Sequence, residues 1–151
     1  MKALSLKQPW AWLLFHGKSV ENRTWKTKFR GNILIHASKT WDSAGERWIY
    51  INLCRGKLPI KECPTRHDPL MKRGALIGVV DIVDCVEQFD SPWFFGPYGW
   101  ILMRPIEFSK PYWLKGSLGL FNVPDQLVKE IERDELAHCS TKMVSLARCE
   151  R

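Results

Sequence analysis

Residues 4–38 read LSLKQPWAWLLFHGKSVENRTWKTKFRGNILIHAS, and strand and helix signals follow one another closely along this stretch. Pro9 suits the first turn of a helix, because the N–H that proline lacks is not needed there. Apolar residues recur behind it at helical spacing, and Gly17 can end the helix. The pattern predicts a strand at Lys2–Leu6, a helix from Pro9 to Gly17, an extended segment at Ser19–Trp25 and a buried strand at Gly31–Ser38.

The rest of the chain adds further strands and few helices. The pattern predicts, in order, a helix over Thr40–Cys54 with Thr40 as its N-cap, a surface loop over Arg55–Arg73, a strand at Gly74–Gln88, an aromatic turn at Asp90–Pro97, strands at Tyr98–Phe108 and Leu118–Val123, and a helix from Pro124 to about His138. This order favours an α+β protein, a small, mostly antiparallel β-barrel with flanking helices. We predict a single domain over residues 1–139 and a C-terminal tail over residues 140–151.

The positive charge of the chain is concentrated at one end. Of the 151 residues, 23 are basic and 16 are acidic, which gives a net charge of +7. Residues 1–40 contain eight basic residues and one acid, Glu21, so the whole excess lies in this segment. A basic segment of this kind favours a polyanionic partner.

The composition excludes several classes of protein. A hydrophobic content of 45% and a charged content of 26% are typical of a globular domain rather than a disordered chain. The longest run without a charge is Ser91–Met103, which is shorter than the ~20 apolar residues of a membrane helix, so we expect no membrane contact. No signal-peptide core is present. Five cysteines without close pairing indicate reduced thiols and a cytoplasmic protein.

Tryptophan is the second unusual feature of the composition. Five of the eight tryptophans fall within the first 48 residues and overlap the basic segment. Cations on phosphates and rings stacked on bases together bind single-stranded nucleic acid. The alternative is that most of these rings are core residues, because tryptophan is highly buried on average. Trp93 and Tyr98, in and beside the aromatic turn, are predicted to pack at a barrel end rather than to form the rim of a cleft.

The strongest candidate site is the segment Lys18–Trp25, KSVENRTW. If the segment is extended, Glu21, Arg23 and Trp25 share one face, and Lys18 lies at the preceding turn. A carboxylate that accepts a base proton, a planar guanidinium and a flat ring are groups that recognise a nucleobase. The alternative is a solvated strand edge in which Glu21 and Arg23 only pair with each other.

A second candidate segment surrounds the start of the first helix. Gln8 precedes Pro9 and can hydrogen-bond a base edge beside the free N–H groups of the first helical turn. Trp10 follows and offers a ring. The alternative is that Gln8 caps the helix and Trp10 is part of the core.

The quoted stretch resembles the opening of an ASCH domain, a member of the PUA-like superfamily. That family combines a QPWA-type first helix with a Gly-x-Lys-x-x-Glu-x-Arg motif, an RG pair and a strand that ends in a small residue. Lys18, Glu21 and Arg23 match the charged positions, whereas His16 occupies the glycine position. The segments GALIGVVDIVDC, SPWFFGPYGWIL and KGSLGLFNVP extend the resemblance over roughly residues 3–128.

The resemblance implies a PUA-like barrel with a cleft lined by the first helix and the charged motif. It implies that this cleft binds nucleic acid, RNA in preference to DNA, as a single strand or an unstacked or modified base. The residues carried over by the motif are Lys18, Glu21 and Arg23. Four weaker additions complete the nucleic-acid-binding set: Gln8, Trp10, Trp25 and Arg30. Protein partners cannot be derived.

An enzyme is the alternative function. Some small proteins similar to this one are amidohydrolases that remove acetyl from acetylated cytidine with a lysine, a threonine three residues later and a barrel carboxylate; others are ribonucleases. Here Glu21 stands where that threonine would be, so a catalytic set would consist of Lys18, Glu21 and Asp81. Asp81 is equally compatible with a solvent-facing role balanced by Arg73 or Lys72. Binding without catalysis is the favoured hypothesis.

No metal or cofactor is expected. Cys54, Cys63 and His67 offer only three possible zinc ligands at the spacing C-x8-C-x3-H, and a structural zinc site needs four. His36 lies in the predicted buried strand and is interpreted as a core or near-core histidine rather than a catalyst. No glycine-rich phosphate loop is present.

Overall fold

The computed structural model describes residues 1–149, with side chains described as far as residue 140. The elements in chain order are β1 (Lys2–Gln8), α1 (Trp10–Leu13), β2 (Val20–Arg23), β3 (Gly31–Trp41), α2 (Ser43–Cys54), β4 (Ala75–Val86), β5 (Tyr98–Trp113), β6 (Leu120–Asn122) and α3 (Asp125–Cys149). The α+β class is confirmed. Among the described residues, no helix combines the length and apolar character that a membrane crossing requires.

All six strands belong to one mixed sheet in the order β2-β5-β4-β3-β1-β6. Four of the five neighbouring pairs are antiparallel, and β1 runs parallel to β3. The strand order is open, with β2 and β6 as its edges in the described part of the chain, so the predicted barrel closure is not confirmed. Register shifts interrupt the β3–β4 and β4–β5 ladders, and such irregularities bend strands.

The sheet buries apolar side chains on both faces because neighbouring residues of a strand point in opposite directions. Leu4 and Ile35 are register partners and belong to a cluster on one face. Ala3 and Leu34 are the next partners and belong to a cluster on the other face, where Ile131 of α3 packs against them. The third helix therefore covers one side of the β1–β3 pair.

The core interpretation of the tryptophans holds for half of them. Four are buried, two are partly buried and two are exposed; in that order they are Trp12, Trp41, Trp93 and Trp100; Trp10 and Trp48; Trp25 and Trp113. Trp93 and the partly buried Tyr98 pack into apolar clusters, as predicted.

Three predicted helix boundaries are wrong. The first helix, α1, ends at Leu13 and not at Gly17. Thr40 lies in β3, and the N-cap of α2 is Asp42, whose carboxylate accepts a hydrogen bond from the Gly45 N–H at 2.9 Å. The last helix continues past His138 to Cys149, so residues 140–149 are helical where a tail was predicted. No glycine or proline interrupts this segment, which leaves nothing to end the helix earlier. Residues 150–151 lie outside the described residues.

Candidate functional site

A cleft of about 1100 Å³ opens between strands that are not neighbours in the sheet. Its lining comes from β1 with Trp10, from β2, from β3, and from the segment 113–118, which begins with the last residue of β5. The Arg23 guanidinium of β2 donates to the Ser5 carbonyl of β1 at 3.4 Å. Because three strands separate β2 from β1 in the sheet, the sheet must curl to bring them together, and the cleft lies along the seam.

A buried charge network forms the β2 side of this seam. The Lys18 Nζ donates to the Glu21 Oε2 at 2.7 Å and to the Val20 carbonyl at 2.6 Å. The Arg23 Nη2 lies 3.3 Å from the other carboxylate oxygen, Glu21 Oε1. The Lys18 side chain is 2% exposed and the Arg23 side chain 22% exposed. The predicted residues therefore meet, and the pairing that the alternative interpretation required is also present.

The turn before Lys18 has a clear backbone cause. Gly17 has a φ of +114°, which side chains of L-residues rarely adopt. This turn lets the Lys18 N–H donate to the Leu13 carbonyl at 2.9 Å at the end of α1. The glycine next to the lysine thus redirects the chain from α1 into β2.

Trp10 supplies the ring on the other side of the network. Its indole N–H donates to the Asp42 carboxylate at 2.8 Å, and the Lys18 ammonium lies 5.8 Å from its ring centroid. Burial acts to raise the pKa of Asp42, but hydrogen bonds from the Gly45 N–H and Trp10 hold it below its usual value. The N-cap of α2 therefore also fixes the ring that lines the cleft.

Comparison with known proteins agrees with this geometry. The family model of the ASCH domain matches residues 4–112. The chain belongs to the ASCH domain family. It is similar to Activating signal cointegrator 1 of Homo sapiens, with 35% identity over 130 residues that cover 73% of the chain and 21% of the relative. The protein of the same name from Mus musculus is 39% identical over 89 residues, which cover 56% of the chain and 14% of the relative. The chain thus spans about a fifth of the length of these relatives or less.

The structure does not bring Gln8 into the cleft of this ASCH domain. Gln8 is fully buried, its amide donates to the Lys72 carbonyl at 2.8 Å, and its carbonyl accepts from the Trp12 N–H at 2.9 Å. Gln8 therefore caps the first turn of α1 and holds it to the loop before β4. Because Gln8 is fully buried and does not line the cleft, the structure does not place it where a base edge could reach it.

Trp25 and Arg30 also lie outside the lining of the cleft. Trp25 packs edge-on against Trp100 at a centroid distance of 4.6 Å. The Arg30 guanidinium forms an exposed ion pair with Asp84 of β4 at 3.1 Å. Trp25 remains close to the network because the Arg23 guanidinium lies 5.9 Å from the same Trp100 ring.

Asp81 is not part of the cleft either. It lies on β4 and pairs with Arg104 of β5 rather than with the predicted Arg73 or Lys72. The three groups of the predicted catalytic set are therefore not brought together in the cleft: Glu21 lines it, whereas Lys18 is buried, contacts Glu21 and is not among the lining residues.

Sequence reasoning missed Asn22, whose side chain organises the aromatic turn. Its amide N–H donates to the Trp93 carbonyl at 2.8 Å. Its amide oxygen accepts from the Phe95 N–H at 2.7 Å and from the Gly96 N–H at 3.2 Å. Asn22 lies between Glu21 and Arg23. Alternation along a strand indicates only that its side chain points away from theirs, and does not indicate which segment it contacts.

Sequence reasoning also missed Ser5, the partner of the buried His36. The imidazole Nε2 faces the Leu114 carbonyl at 2.8 Å, and Nδ1 faces the Ser5 hydroxyl at 2.9 Å. Because a carbonyl only accepts, we assign the proton to Nε2, and the Ser5 hydroxyl donates to Nδ1. Burial lowers the pKa of His36, against the raising effect of the Leu114 hydrogen bond. The core interpretation of His36 is confirmed.

Gly116 closes over this pair. A Cβ added to Gly116 would lie 2.5 Å from the Ser5 Oγ and 2.5 to 2.6 Å from two atoms of the His36 ring. The segment that follows β5 can lie flat on the β1–β3 floor only because this residue has no side chain. We call this close contact of Gly116 with the hydrogen-bonded Ser5 and His36 side chains the clamp of the cleft wall.

The remaining missed residues lie in the segment 113–118. The structure extends β5 to Trp113, beyond the predicted end at Phe108, and leaves the Trp113 side chain 69% exposed beside the cleft. Lys115 and Leu118 follow on the same cleft wall, and both are exposed. The charged residues that line the cleft are four cations and one acid: Lys7, Arg23, Lys39, Lys115 and Glu21.

The described residues offer no metal centre. No group of three or more metal-binding side chains lies close enough to hold an ion within the described part of the chain. Burial, together with the nearby Glu46 carboxylate, raises the pKa of the Cys63 thiol to about 11. The thiolate that binds a metal is therefore disfavoured at Cys63.

Proposed function

We propose that this ASCH protein binds nucleic acid in the cleft, with RNA preferred to DNA and a single strand or an unstacked base as the ligand. The observation that carries this proposal is that the partly exposed Arg23–Glu21 pair and the Trp10 ring line one cleft, whose charged lining sums to +3. A guanidinium, a carboxylate and a ring recognise a base, and the surrounding lysines attract phosphate.

The choice of a single strand follows from the position of the acceptor. The Glu21 side chain is only 10% exposed, and lies at the cleft rather than on an open surface. A base edge reaches such a group when the base is unstacked, whereas the bases of a duplex stay inside the helix. Membership of the ASCH family supports RNA, since these PUA-like domains are generally regarded as RNA-binding. The name of the matched relatives, a signal cointegrator, does not mention a nucleic acid.

Binding without catalysis fits the site better than hydrolysis. An acid and a base in a hydrolase must both reach the reacting atoms, but Lys18 is buried and its Nζ is bound to Glu21 and to a backbone carbonyl. Asp81, the third member of that hypothesis, is paired with Arg104. We expect no product by mass spectrometry after incubation with RNA or with acetylated cytidine. Product that disappears in a Glu21→Gln variant would replace the binding proposal with catalysis.

The main experiment is a binding titration with a short fluorescein-labelled RNA and its DNA counterpart. Three lysines line the cleft, Lys7, Lys39 and Lys115, and each phosphate contact to a single strand contributes about −0.7 to the slope of log affinity against log salt. We expect a slope of about −2 and quenching of tryptophan fluorescence. Affinity that is absent for both RNA and DNA, or that does not change with salt, would overturn the proposal.

A pair of arginine variants shows whether the cleft is the site. Arg23→Gln keeps a hydrogen-bond donor near Glu21 and removes the charge, and we expect it to weaken RNA binding at least tenfold. Arg30→Gln removes the same charge from outside the cleft and is the matched control. Equal effects of the two variants would mean that binding is spread over the surface.

Two further features, the form of the sheet and the location of the protein, belong to the same proposal. We propose that the curled, open sheet is this chain's form of the PUA-like barrel. We also propose a cytoplasmic location, which the free thiols of the described cysteines support; they are Cys54, Cys63, Cys85 and Cys139.

A further inference from the structure

Trp113 is exposed at the edge of the cleft, where an apolar ring contacts water. Its side chain is 69% exposed, although tryptophan is among the most buried residues on average. It lines the same cleft as Glu21 and Arg23. The family match ends at residue 112, so this ring lies just beyond the part of the chain that the family model matches. Neither the core nor the charged motif accounts for it.

The backbone that carries the ring is held from several directions. Trp113 pairs with Ala75 of β4, and the N–H of the next residue, Leu114, donates to the Gly74 carbonyl at 3.3 Å. The Leu114 carbonyl accepts the hydrogen bond from His36. A rigid backbone under an exposed ring is a preorganised stacking platform, because little freedom is lost when a base packs against it.

Two lysines lie at this end of the cleft. The Lys39 stem crosses Gly74, since a Cβ at Gly74 would lie 3.2 Å from the Lys39 Cγ and Cε, and Gly74 adjoins the register partner of Trp113. Lys115 is two residues beyond the ring and is exposed. No carboxylate among the lining residues is close to this end in sequence, since Glu21 belongs to β2.

The cleft is larger than one base requires. Its volume of about 1100 Å³ exceeds the roughly 300–1,000 Å³ of a pocket for one small ligand. β2, which carries Glu21 and Arg23, pairs with the first residues of β5, whereas Trp113 is the last residue of that 16-residue strand, so the charge network and the exposed ring lie at different ends of β5.

We propose that the cleft holds at least two consecutive nucleotides of a single strand, which rests on the proposed function. One base meets Glu21 and Arg23, the neighbouring base stacks on Trp113, and the phosphates on the two sides of that second base lie near Lys39 and Lys115, one at each lysine. The Trp113 subsite reads no particular base, because every base has a flat face. The specificity of the site comes from the β2 end alone.

The experiment compares oligonucleotide lengths in three variants. Binding of a mononucleotide and of oligonucleotides of two to six nucleotides is measured for the wild type, Trp113→Ala and Tyr50→Ala. Tyr50 is the matched control, since its ring is also 69% exposed but lies on α2 outside the cleft. We expect Trp113→Ala to weaken oligonucleotides about 5- to 150-fold, the range of base–aromatic stacking, and to leave the mononucleotide unchanged. Trp113→Phe retains most of the affinity, and Tyr50→Ala retains all of it.

Each other outcome has a distinct meaning. If no nucleic acid binds to the wild type, the proposed function fails and the second subsite fails with it. If oligonucleotides bind and Trp113→Ala leaves their affinity unchanged, only the second subsite is overturned. An equal loss for the mononucleotide and the oligonucleotides would make Trp113 part of the first subsite and overturn the two-nucleotide site. Melting curves of each variant are measured in parallel, and we expect no change because the ring is exposed.

Discussion

The two sides of the cleft are built in opposite ways. The β2 wall consists of Glu21 and Arg23, which line the cleft, together with the buried Lys18, so two cations share one carboxylate in a largely buried place. The loop wall, residues 113–118, exposes a ring and a lysine on a segment held down by neutral hydrogen bonds. One wall therefore consists of mutually paired, largely buried charges, whereas the other exposes its side chains to solvent.

The difference has an energetic reason. Buried charges are costly unless they are paired, so both cations of the β2 wall depend on the Glu21 carboxylate. The loop wall can lose an exposed side chain without leaving a buried polar group unsatisfied, because its attachment runs through the backbone of Leu114 and through Gly116. Substitutions in the two walls are thus expected to separate stability from binding.

The largest expected effect is that of Glu21→Ala in the β2 wall. The substitution leaves the Lys18 ammonium, 2% exposed, without its carboxylate. Breaking a buried pair from one side costs about 3–5 kcal/mol, and we expect a loss of this size in the free energy of unfolding measured with urea. Glu21→Gln keeps the shape and an acceptor oxygen, so its loss is smaller.

The control for this substitution is an exposed ion pair. Glu87→Ala removes a carboxylate 3.7 Å from Lys26, with both side chains more than 60% exposed, and changes stability by less than about 0.5 kcal/mol. Similar losses for Glu21→Ala and Glu87→Ala would mean that the β2 wall is not a buried network.

The second expected effect breaks the loop wall without touching the β2 wall. In Gly116→Ala, the new methyl meets the Ser5 hydroxyl and the His36 ring, which are themselves hydrogen-bonded and have no room to move. Overpacking of this kind costs about 1–3 kcal/mol, and the segment lifts from the floor. We expect a lower melting temperature and weaker binding of oligonucleotides, with mononucleotide binding retained. Ser117→Ala, at an exposed position of the same segment, changes neither; a matching loss there would point to the loop sequence rather than the clamp.

The β2 wall was accessible to sequence reasoning because it depends on local rules. Extended residues alternate in direction, so Glu21 and Arg23 were expected on one face, and β2 is indeed a strand. Lys18 follows a glycine whose positive φ turns the chain, which is also a local feature. The α+β class and the order of strands and helices follow from the same kind of pattern.

The loop wall was not accessible because it depends on curvature. Alternation along a strand does not reveal that the sheet curls until β2 and β1 share a cleft. For the same reason it does not reveal whether the sheet closes into a barrel. Nor does it reveal which basic residues lie at the seam: Lys39 and Lys115 do, whereas Arg30 pairs with Asp84 elsewhere. The tryptophans show the same limit of strand alternation. Their sequence pattern does not distinguish Trp100, which is buried, from Trp113, which is exposed.

The third expected effect is a pH dependence confined to the loop wall. The folded pKa of His36 lies below its usual 6.5, so the unfolded chain binds more protons as the pH falls below about 6.5. The contribution of His36 to the free energy of unfolding is therefore fully present above about pH 6.5. It is lost as the pH falls from there toward the lowered pKa of the folded state, by at most about 1.4 kcal/mol per pH unit. Urea unfolding between about pH 7 and pH 5 measures the slope.

The matched variant for this titration is His36→Gln. Glutamine can donate to the Leu114 carbonyl and accept from the Ser5 hydroxyl but does not titrate, so we expect a flatter stability profile than that of the wild type. An identical slope in both proteins would assign the pH dependence to other groups and detach it from the loop wall.

The smallest expected effect comes from Arg30→Ala, which removes a charge that lies on neither of the two walls. The Arg30 guanidinium, 43% exposed, pairs with an Asp84 side chain that is 57% exposed, and such surface pairs contribute about 0–1 kcal/mol. We expect an unfolding free energy within about 0.5 kcal/mol of the wild type and an unchanged number of released counterions in the RNA salt titration. Lys39→Ala and Lys115→Ala are the comparison, and each should lower the magnitude of the slope by about 0.7. If Arg30→Ala lowers it by the same amount, the strand passes over the β3–β4 surface as well, and the two walls no longer define the whole site.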